Sequence, residues 1–303
     1  MTLPRGGCTQ SPIPTPMLTR TTPRTHRFTS LSPHGFHRVV YYEWGAHDNE
    51  EVVICVHGIG RNGRDFDVLG EALAPTHRLL AVDMPGRGQS EWLREPMDYV
   101  TPVYLTTLTA LIARSGAEHV SWVGTSMGGI LGMVSAAQPG TPLQRLVVND
   151  VGPTIEPAAL QRIAQYFGTD PTFASYDEIA GYVRTISAPF GPLTDAQWDH
   201  VVRTNVRQRD DGRWAIGYDP RIAIPFRAQT AAPDLWPLWD AIRCPTLVVR
   251  GAQSDLLSHA TAQAMAARGP RARVAEIPHV GHAPMLLSPE QVAIVVDFLR
   301  EPV

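Results

Sequence analysis

The sequence contains no lysine, and each of its 26 basic residues is an arginine. Without a lysine amine the chain cannot form a Schiff base with pyridoxal phosphate or with a carbonyl substrate. It also lacks the lysine of a nucleotide phosphate loop and of the ordinary protein-kinase pattern. Those three kinds of chemistry are therefore excluded. The simplest cause of the missing lysine is a GC-rich coding sequence, which by itself favours arginine over lysine.

Cysteine is also scarce, with Cys8, Cys55 and Cys244 far apart in the chain. Three scattered thiols neither form a disulfide framework nor supply a zinc site, and Cys55 lies in an apolar run where a buried thiol is expected. No apolar stretch approaches the roughly 20 residues of a membrane helix. The net charge of −3 gives no general attraction to nucleic acid. The sequence therefore predicts a soluble, cytoplasmic protein with no metal, no cofactor, no nucleic-acid partner and no membrane insertion, and contains no signal for an oligomeric state.

The first 37 residues contain arginine, threonine, serine and proline but no acidic side chain. This composition predicts a disordered tail over residues 1–37, or a chain whose true start is Met17. A secretory signal is not expected because the segment has no apolar middle region. An organelle transit peptide shares the arginine-rich, acid-poor composition, but the prolines disfavour its amphipathic helix.

From residue 38 onward, short apolar strand patterns alternate with helical patterns. This alternation predicts an α/β fold with a mostly parallel sheet flanked by helices, and nearly all-apolar strands fit a sheet that is covered on both faces. The alternation runs over residues 38–150, stops over 151–236 and resumes over 237–303. The interruption predicts a helical cap inserted after the sixth strand, above the strand ends where ligands bind.

The segment Gly124-Thr125-Ser126-Met127-Gly128 follows a predicted strand and opens a predicted helix. In this context the G-x-S-x-G pattern is typical of a nucleophile elbow, a sharp turn that exposes the serine hydroxyl. The glycines allow neighbouring chains to approach closely, and the following helix directs its positive end at the hydroxyl. Ser126 is therefore the predicted nucleophile.

A nucleophilic serine needs a base, and the base needs an orienting acid. His282 follows the last predicted strand and is the predicted base, with His279 as its nearest rival. Asp255 follows the preceding strand, so that the chain order is serine, aspartate, histidine, as expected for such a sheet. Asp150 also ends a strand and is the alternative acid.

The segment His57-Gly58-Ile59-Gly60 follows a strand and precedes a helix. Its flanking glycines allow a backbone N–H to face a pocket. Acyl transfer requires such donors where negative charge develops on oxygen. We predict that the N–H groups of Ile59 and Met127 form this oxyanion hole.

Four side chains are predicted to contact the substrate: His57, Arg61, Trp198 and Trp214. The two tryptophans belong to the aromatic-rich cap, and the other two residues lie at the oxyanion loop. Arg61 and Arg64 either bind a substrate carboxylate or pair with the nearby Asp65 and Asp67, and pairing is the favoured interpretation.

These motifs, together with Asp83-Met84-Pro85-Gly86-Arg87-Gly88-Gln89-Ser90 and Gly281-His282, resemble in order and spacing those of the α/β-hydrolase superfamily. The resemblance covers about residues 38–301. It implies the fold, a Ser-Asp-His triad and hydrolysis. More narrowly, the chain resembles capped bacterial carboxylesterases, which implies cleavage of small-molecule esters through an acyl-enzyme, here on Ser126. Carbon–carbon bond hydrolases and enol-lactonases of aromatic catabolism share the triad and are the alternative. A non-catalytic ligand-binding protein of the same fold is the remote alternative.

Overall fold

The computed structural model of the chain describes residues 22–228 and 233–302. Within those ranges it has ten strands: β1 (Arg24–Ser32), β2 (Gly35–Trp44), β3 (Val52–Val56), β4 (Arg78–Asp83), β5 (Val120–Thr125), β6 (Leu143–Asn149), β7 (Val206–Gln208), β8 (Trp214–Ile216), β9 (Thr246–Gly251) and β10 (Arg273–Ile277). The α-helices in the same ranges are α1 (Asp67–Leu73), α2 (Thr101–Ser115), α3 (Met127–Ala136), α4 (Pro157–Tyr166), α5 (Tyr176–Ile186), α6 (Asp195–Asn205), α7 (Ala223–Ala228), α8 (Trp236–Ala241), α9 (His259–Ala267) and α10 (Pro289–Arg300). None of these helices is both long and apolar enough to cross a membrane.

Eight strands form the central sheet in the order β1-β2-β4-β3-β5-β6-β9-β10. β1 pairs antiparallel with β2, and β2 pairs antiparallel with β4. From β4 to β10 every neighbouring pair is parallel. The prediction of a mostly parallel sheet flanked by helices is confirmed. Because parallel strands end at the same edge, the segments that follow β3, β5, β6, β9 and β10 lie close together.

The strand β3 shows how the sheet is covered on both faces. All five of its residues are buried, and they alternate between two apolar clusters. Ile54 packs into the cluster on one face of the sheet, and its neighbours Val53 and Cys55 pack into the cluster on the other. Since successive strand side chains point to opposite faces, an all-apolar strand requires cover on both sides. Cys55 is a free, buried thiol, and burial raises its pKa well above the usual value.

The antiparallel hairpin of β1 and β2 contradicts the prediction of a disordered tail over residues 24–37, the ordered part of the predicted 1–37 segment. Residues 24–32 pair along their whole length with residues 35–43. The β1 segment is polar because it lies at the edge of the sheet, where one face and one side meet solvent, and its buried Ser30 is hydrogen-bonded to Thr107 on α2. Residues 1–21, which include Cys8 and Met17, lie outside the described residues.

The segment between β6 and β9 leaves the sheet and returns to it, as a cap insertion would. Helices α5 and α6 in this segment bury Ile179, Val183 and Val201 in a cluster of their own. The same cluster includes Met285 and Leu287, which follow β10. This packing places the inserted helices above the carboxyl ends of the parallel strands.

Candidate active site

The turn between β5 and α3 presents Ser126. Its backbone has φ 52° and ψ −114°, a conformation that non-glycine residues rarely adopt and that is often found at functional sites. The Ser126 N–H donates to the Asn149 carbonyl at 2.9 Å, and its own carbonyl accepts from the N–H groups of Gly129 and Ile130. Hydrogen bonds on both sides therefore hold the turn and leave the hydroxyl free to face the cavity.

The two outer glycines of this turn are required by close approach of the backbone. A Cβ on Gly124 would lie 2.1 Å from the carbonyl oxygen of Gly128, and a Cβ on Gly128 would lie 1.9 Å from that of Val56. Neither backbone atom can move without displacing β3 or α3. The elbow pattern is thus explained by steric exclusion at these two positions.

We expect Gly128→Ala to lower the free energy of unfolding by about 3 kcal/mol or more, because such overlap forces backbone shifts. Gly181→Ala is the matched control, since Gly181 lies in α5 with nothing within 4 Å of the added Cβ. The control should be neutral or stabilising by about 0.5–1 kcal/mol, as alanine favours helix. Urea unfolding of both variants measures the difference, and equal stabilities would contradict the steric argument.

His282 lies between the nucleophile and an aspartate. Its Nε2 is 3.0 Å from Ser126 Oγ, and its Nδ1 is 2.9 Å from Asp150 Oδ2. With a neutral ring, Nδ1–H donates to the carboxylate and Nε2 accepts the serine proton, which is the arrangement of a general base. His279, the rival base, is exposed and is not part of this relay.

Asp150 is fully buried, with 0% of its surface exposed. Besides His282, it accepts hydrogen bonds from the Gly251 N–H at 2.8 Å and the Ser254 hydroxyl at 2.7 Å. Its positive φ of 57° turns the chain directly after β6, so that the carboxylate faces the histidine loop. These contacts fix one carboxylate orientation and leave its Oδ2 directed at the imidazole.

Asp255, the predicted acid, lies elsewhere, and this geometry contradicts its assignment. Its carboxylate forms a bidentate ion pair with Arg162 of α4, at 2.5 and 2.9 Å. Partial burial acts to raise the pKa of Asp255, but the Arg162 guanidinium outweighs it and holds that pKa below its usual range. In the loop after β9, the Ser254 side chain faces Asp150. The side chain of the next residue, Asp255, therefore points away from Asp150 and towards the inserted helices.

The loop after β3 brings Ile59 to the nucleophile. A Cβ on the preceding Gly58 would lie only 3.7 Å from Ser126 Cβ, and Ile59 lines the same cavity as Ser126. Met127 is the first residue of α3, where a backbone N–H has no partner within the helix. The two predicted oxyanion donors therefore flank the serine from two different elements.

His57 supports this loop and is not a substrate contact, contrary to the sequence-based prediction. It is fully buried. Its Nε2 accepts from the Met84 N–H at 3.0 Å, and its Nδ1 donates to the Gly58 carbonyl at 2.7 Å. Burial lowers its pKa to about 3, so the ring is neutral. The Gly58 carbonyl and the Ile59 N–H belong to the same peptide group, and a trans peptide directs them oppositely. The hydrogen bond from His57 to this carbonyl therefore fixes the direction of the Ile59 N–H.

The cavity over Ser126 has a volume of about 120 Å³. Its walls are mostly apolar. The apolar residues include Ile59, Ile163, Phe167, Val183, Ile186, Phe190, Ile216, Ala283 and Met285. Polar groups at the wall include Tyr166, Tyr218 and Asn205, together with the Arg61–Asp65 pair and Arg162. A small apolar cavity with a few polar groups is typical of a site for a small molecule.

Both arginines at the cavity wall already hold a carboxylate. Arg61 makes a bidentate contact with Asp65 at 2.9 and 2.5 Å and lies over the Phe190 ring. Arg162 holds Asp255 in the same way. The favoured pairing of Arg61 with Asp65 is confirmed, and so is the pairing of Arg64 with Asp67.

The two tryptophans predicted to contact the substrate pack inside the inserted segment instead. Trp198 lies against Arg184, and Trp214 meets Tyr176 edge to face at 5.2 Å. Neither lines the cavity over Ser126. The aromatic residues that do line it include Phe167 and Tyr218, which are stacked on each other at 5.2 Å. The prediction for Trp198 and Trp214 is therefore wrong.

Two residues that support the candidate site, Asn149 and Ser254, were not predicted from the sequence. Asn149 donates from Nδ2 to the Thr125 hydroxyl at 3.0 Å and to the Pro284 carbonyl at 2.8 Å, and so ties the serine turn to the histidine loop. Ser254 orients the carboxylate of Asp150. Their positions in the sequence could have indicated both residues, since Asn149 directly precedes Asp150 and Ser254 directly precedes Asp255.

In the part of the chain that the structure describes, no cluster of His, Cys, Asp or Glu is arranged to hold a metal ion.

Comparison with known proteins agrees with the fold. A family model described as "Alpha/beta hydrolase family" matches residues 53–295. The chain belongs to the alpha/beta hydrolase family. The sequence-based prediction of a hydrolase on this fold is thereby confirmed.

Several known proteins are similar to this alpha/beta hydrolase over most of their length. A 3-hydroxybutyrate-oligomer hydrolase of Cupriavidus necator is 44% identical over 285 residues, covering 91% of this chain and 97% of that protein. An esterase of Mycobacterium tuberculosis is 30% identical, over 68% of this chain and 67% of that protein. An alpha/beta hydrolase structure from Novosphingobium aromaticivorans has a TM-score of 0.84 and 37% identity, covering 92% of this chain and 98% of that one.

Proposed function

We propose that the protein is a serine carboxylesterase that acts through an acyl-enzyme on Ser126. The observation that supports this is the relay from Asp150 through His282 to the Ser126 hydroxyl. Ser126 Oγ attacks the ester carbonyl while His282 Nε2 takes its proton, and the same proton passes to the departing alcohol oxygen. Water then attacks the acyl carbon, His282 takes a proton from it, and the acid is released with Ser126 restored.

The tetrahedral intermediate of each step has a negatively charged oxygen. In our proposal the N–H groups of Ile59 and Met127 donate to it, since they flank Ser126 from the β3 loop and from the start of α3. Fixed donors of this kind are typically worth a factor of 10² to 10³ in rate each. Asp150 holds the imidazole in the tautomer that accepts the serine proton and stabilises the imidazolium that forms.

We further propose that the substrates are short hydroxyacid esters, with 3-hydroxybutyrate oligomers as the leading case. The relative from Cupriavidus necator bears the name of a hydrolase of such oligomers. A cavity of about 120 Å³ with mainly apolar walls suits a short acyl group, and its few polar groups suit a hydroxyl or an ester carbonyl. Both arginines at the wall are neutralised by aspartates, which fits an uncharged 3-hydroxybutyryl group bound in the cavity. The terminal carboxylate of the oligomer belongs to the alcohol half that departs, and in our proposal it lies outside this cavity.

The substrate proposal predicts a steep dependence on acyl length. The 3-hydroxybutyrate dimer and trimer should be hydrolysed to monomer. p-Nitrophenyl acetate and butyrate should be cleaved at least about tenfold more efficiently than the decanoate, because a cavity of this size does not hold a long chain. Chromatography of released 3-hydroxybutyrate and kcat/KM for the graded esters test this. Equal efficiency for long and short esters, or an inert dimer, would refute the substrate assignment.

Carbon–carbon bond cleavage is the competing function, because it would use the same relay of Asp150, His282 and Ser126. Its ring-cleavage substrates carry a carboxylate, as 3-hydroxybutyrate oligomers do. Because Asp65 and Asp255 occupy Arg61 and Arg162 at the cavity wall, the two functions are separated by assay and not by these arginines. A vinylogous 1,5-diketone assayed beside the esters separates the two functions, and higher efficiency on the diketone would overturn the esterase proposal.

The remote alternative is a ligand-binding protein without catalysis. Treatment with a fluorophosphonate tests it, because a non-catalytic protein would leave Ser126 unlabelled.

A further inference from the structure

Besides His57, a buried arginine contacts the loop that contains Ile59. Arg87 is completely buried, with 0% of its surface exposed. Its Nε donates to the Ile59 carbonyl at 2.9 Å, and its Nη2 approaches Met127 Sδ at 3.7 Å. One guanidinium therefore touches both residues whose N–H groups are the proposed oxyanion donors.

The charge of Arg87 has no counter-ion among the residues that the structure describes. Nη1 donates to the Pro85 carbonyl at 2.7 Å and to the Tyr104 hydroxyl at 2.9 Å. The rings of Tyr99 and Tyr104 lie at 5.8 and 5.0 Å from its guanidinium carbon. All of these partners are neutral. By contrast, Arg78, which is also buried, is paired with Glu43 at 2.6 Å.

An unpaired buried cation is unfavourable for folding, because neutral dipoles replace only part of its lost hydration. The same charge in a water-poor site attracts any anion that forms nearby more strongly than it would in water. Neither the free enzyme nor a neutral ester places a negative charge at the N–H groups of Ile59 and Met127. The tetrahedral intermediate does, because its oxyanion forms at the N–H groups of the two residues that Arg87 touches.

We propose that Arg87 is a positioning residue for the oxyanion hole, and that its charge becomes compensated only when the oxyanion forms. It holds the peptide that follows Ile59, while His57 holds the peptide that precedes it. This inference rests on the proposed esterase function. Because the interaction strengthens only in the transition state, its loss lowers kcat and leaves KM nearly unchanged.

Two neutral variants, Arg87→Met and Arg87→Gln, test the proposal. Each should lower kcat for p-nitrophenyl butyrate by about 10²-fold, the usual effect of losing one oxyanion-hole interaction, with KM within about twofold of wild type. Affinity for an alkyl boronic acid, which forms a tetrahedral anion on Ser126, should fall in parallel. Affinity for an uncharged ether analogue of the ester should not change. Arg87→Lys retains the charge and should retain more of kcat than either neutral variant.

Arg145→Met is the control for loss of a buried arginine. Arg145 lies near the start of β6, away from the site, and donates to the Glu301 carbonyl. The proposal is overturned if the neutral Arg87 variants reduce kcat no more than Arg145→Met does. It is also overturned if boronic acid and ether affinities fall by the same factor, since that is the mark of a merely structural role. Failure of the wild-type protein to cleave esters would refute the proposed function itself, whereas an active wild type with an active Arg87→Met would refute only this inference.

Discussion

Replacement of Ser126 by alanine should lower kcat for p-nitrophenyl butyrate by a factor of about 10⁴ or more, the scale found when a nucleophile is removed from such a triad. Without Oγ no acyl-enzyme forms, and His282 has no hydroxyl 3.0 Å away to deprotonate. The fold should persist, because the elbow is held by backbone hydrogen bonds and by the glycines around it. Initial rates and thermal unfolding of the same preparation measure both effects.

Ser135→Ala is the matched control, since Ser135 lies further along α3 and has no place in the relay. Its kcat should equal that of wild type. Intact-protein mass spectrometry after fluorophosphonate treatment should show one adduct on wild type and on Ser135→Ala, and none on Ser126→Ala. A Ser126→Ala protein with activity within tenfold of wild type would mean that the nucleophile lies elsewhere.

The candidate nucleophile, Ser126, and its turn could be predicted from sequence because the requirements of the turn are local. About ten consecutive residues contain the end of a strand, a turn that excludes side chains at Gly124 and Gly128, and the start of a helix. The same holds for the backbone loop at Ile59. Steric exclusion acts over the nearest neighbours in the chain, so the G-x-S-x-G pattern indicates the turn without knowledge of the tertiary structure.

The acid could not be chosen in this way, because two aspartates follow two adjacent strands. Asp150 follows β6 and Asp255 lies beyond β9, and these strands pair in the sheet. The choice depends on one backbone angle, the positive φ of Asp150, and on which side chain of the Ser254–Asp255 dipeptide faces inward. Non-glycine residues adopt a positive φ rarely, so sequence alone gives no reason to expect it there.

The aromatic residues of the inserted segment and strand β1 show a second limit of prediction from sequence. Composition shows that Trp198 and Trp214 belong to an aromatic-rich inserted segment, but not whether each side chain packs inside that segment or faces the cavity. Trp198 lies on α6 and Trp214 on β8. Their packing with Arg184 and Tyr176 decides it. For β1, composition favoured disorder because an edge strand needs few apolar side chains, and it is the register with β2 that orders it.

Asp150→Asn and Asp255→Asn form the pair of variants that separates the two candidate acids. Asp150→Asn should lower kcat by about 10⁴, the size of effect known for loss of the orienting aspartate in a serine protease triad. The amide cannot stabilise the imidazolium. Because the Gly251 N–H donates to Oδ1, the amide oxygen would take that position, and the N–H₂ group would lie at the Oδ2 position, which faces His282 Nδ1 and the Ser254 hydroxyl. An N–H₂ group there would favour the wrong tautomer of His282. Steady-state rates near neutral pH and near-UV circular dichroism, which reports the tertiary packing, measure the effect.

Asp255→Asn should retain kcat within about threefold of wild type. The substitution breaks the ion pair with Arg162, in which the Asp255 side chain is 44% exposed, and pairs with that much solvent contact contribute about 1 kcal/mol or less. It leaves the bond between Asp150 and His282 intact, and KM rather than kcat should change if Arg162 shifts at the cavity wall. The reverse result, an inactive Asp255→Asn and an active Asp150→Asn, would mean that Asp255 orients His282 during turnover, which would require it to release Arg162 and exchange places with Ser254.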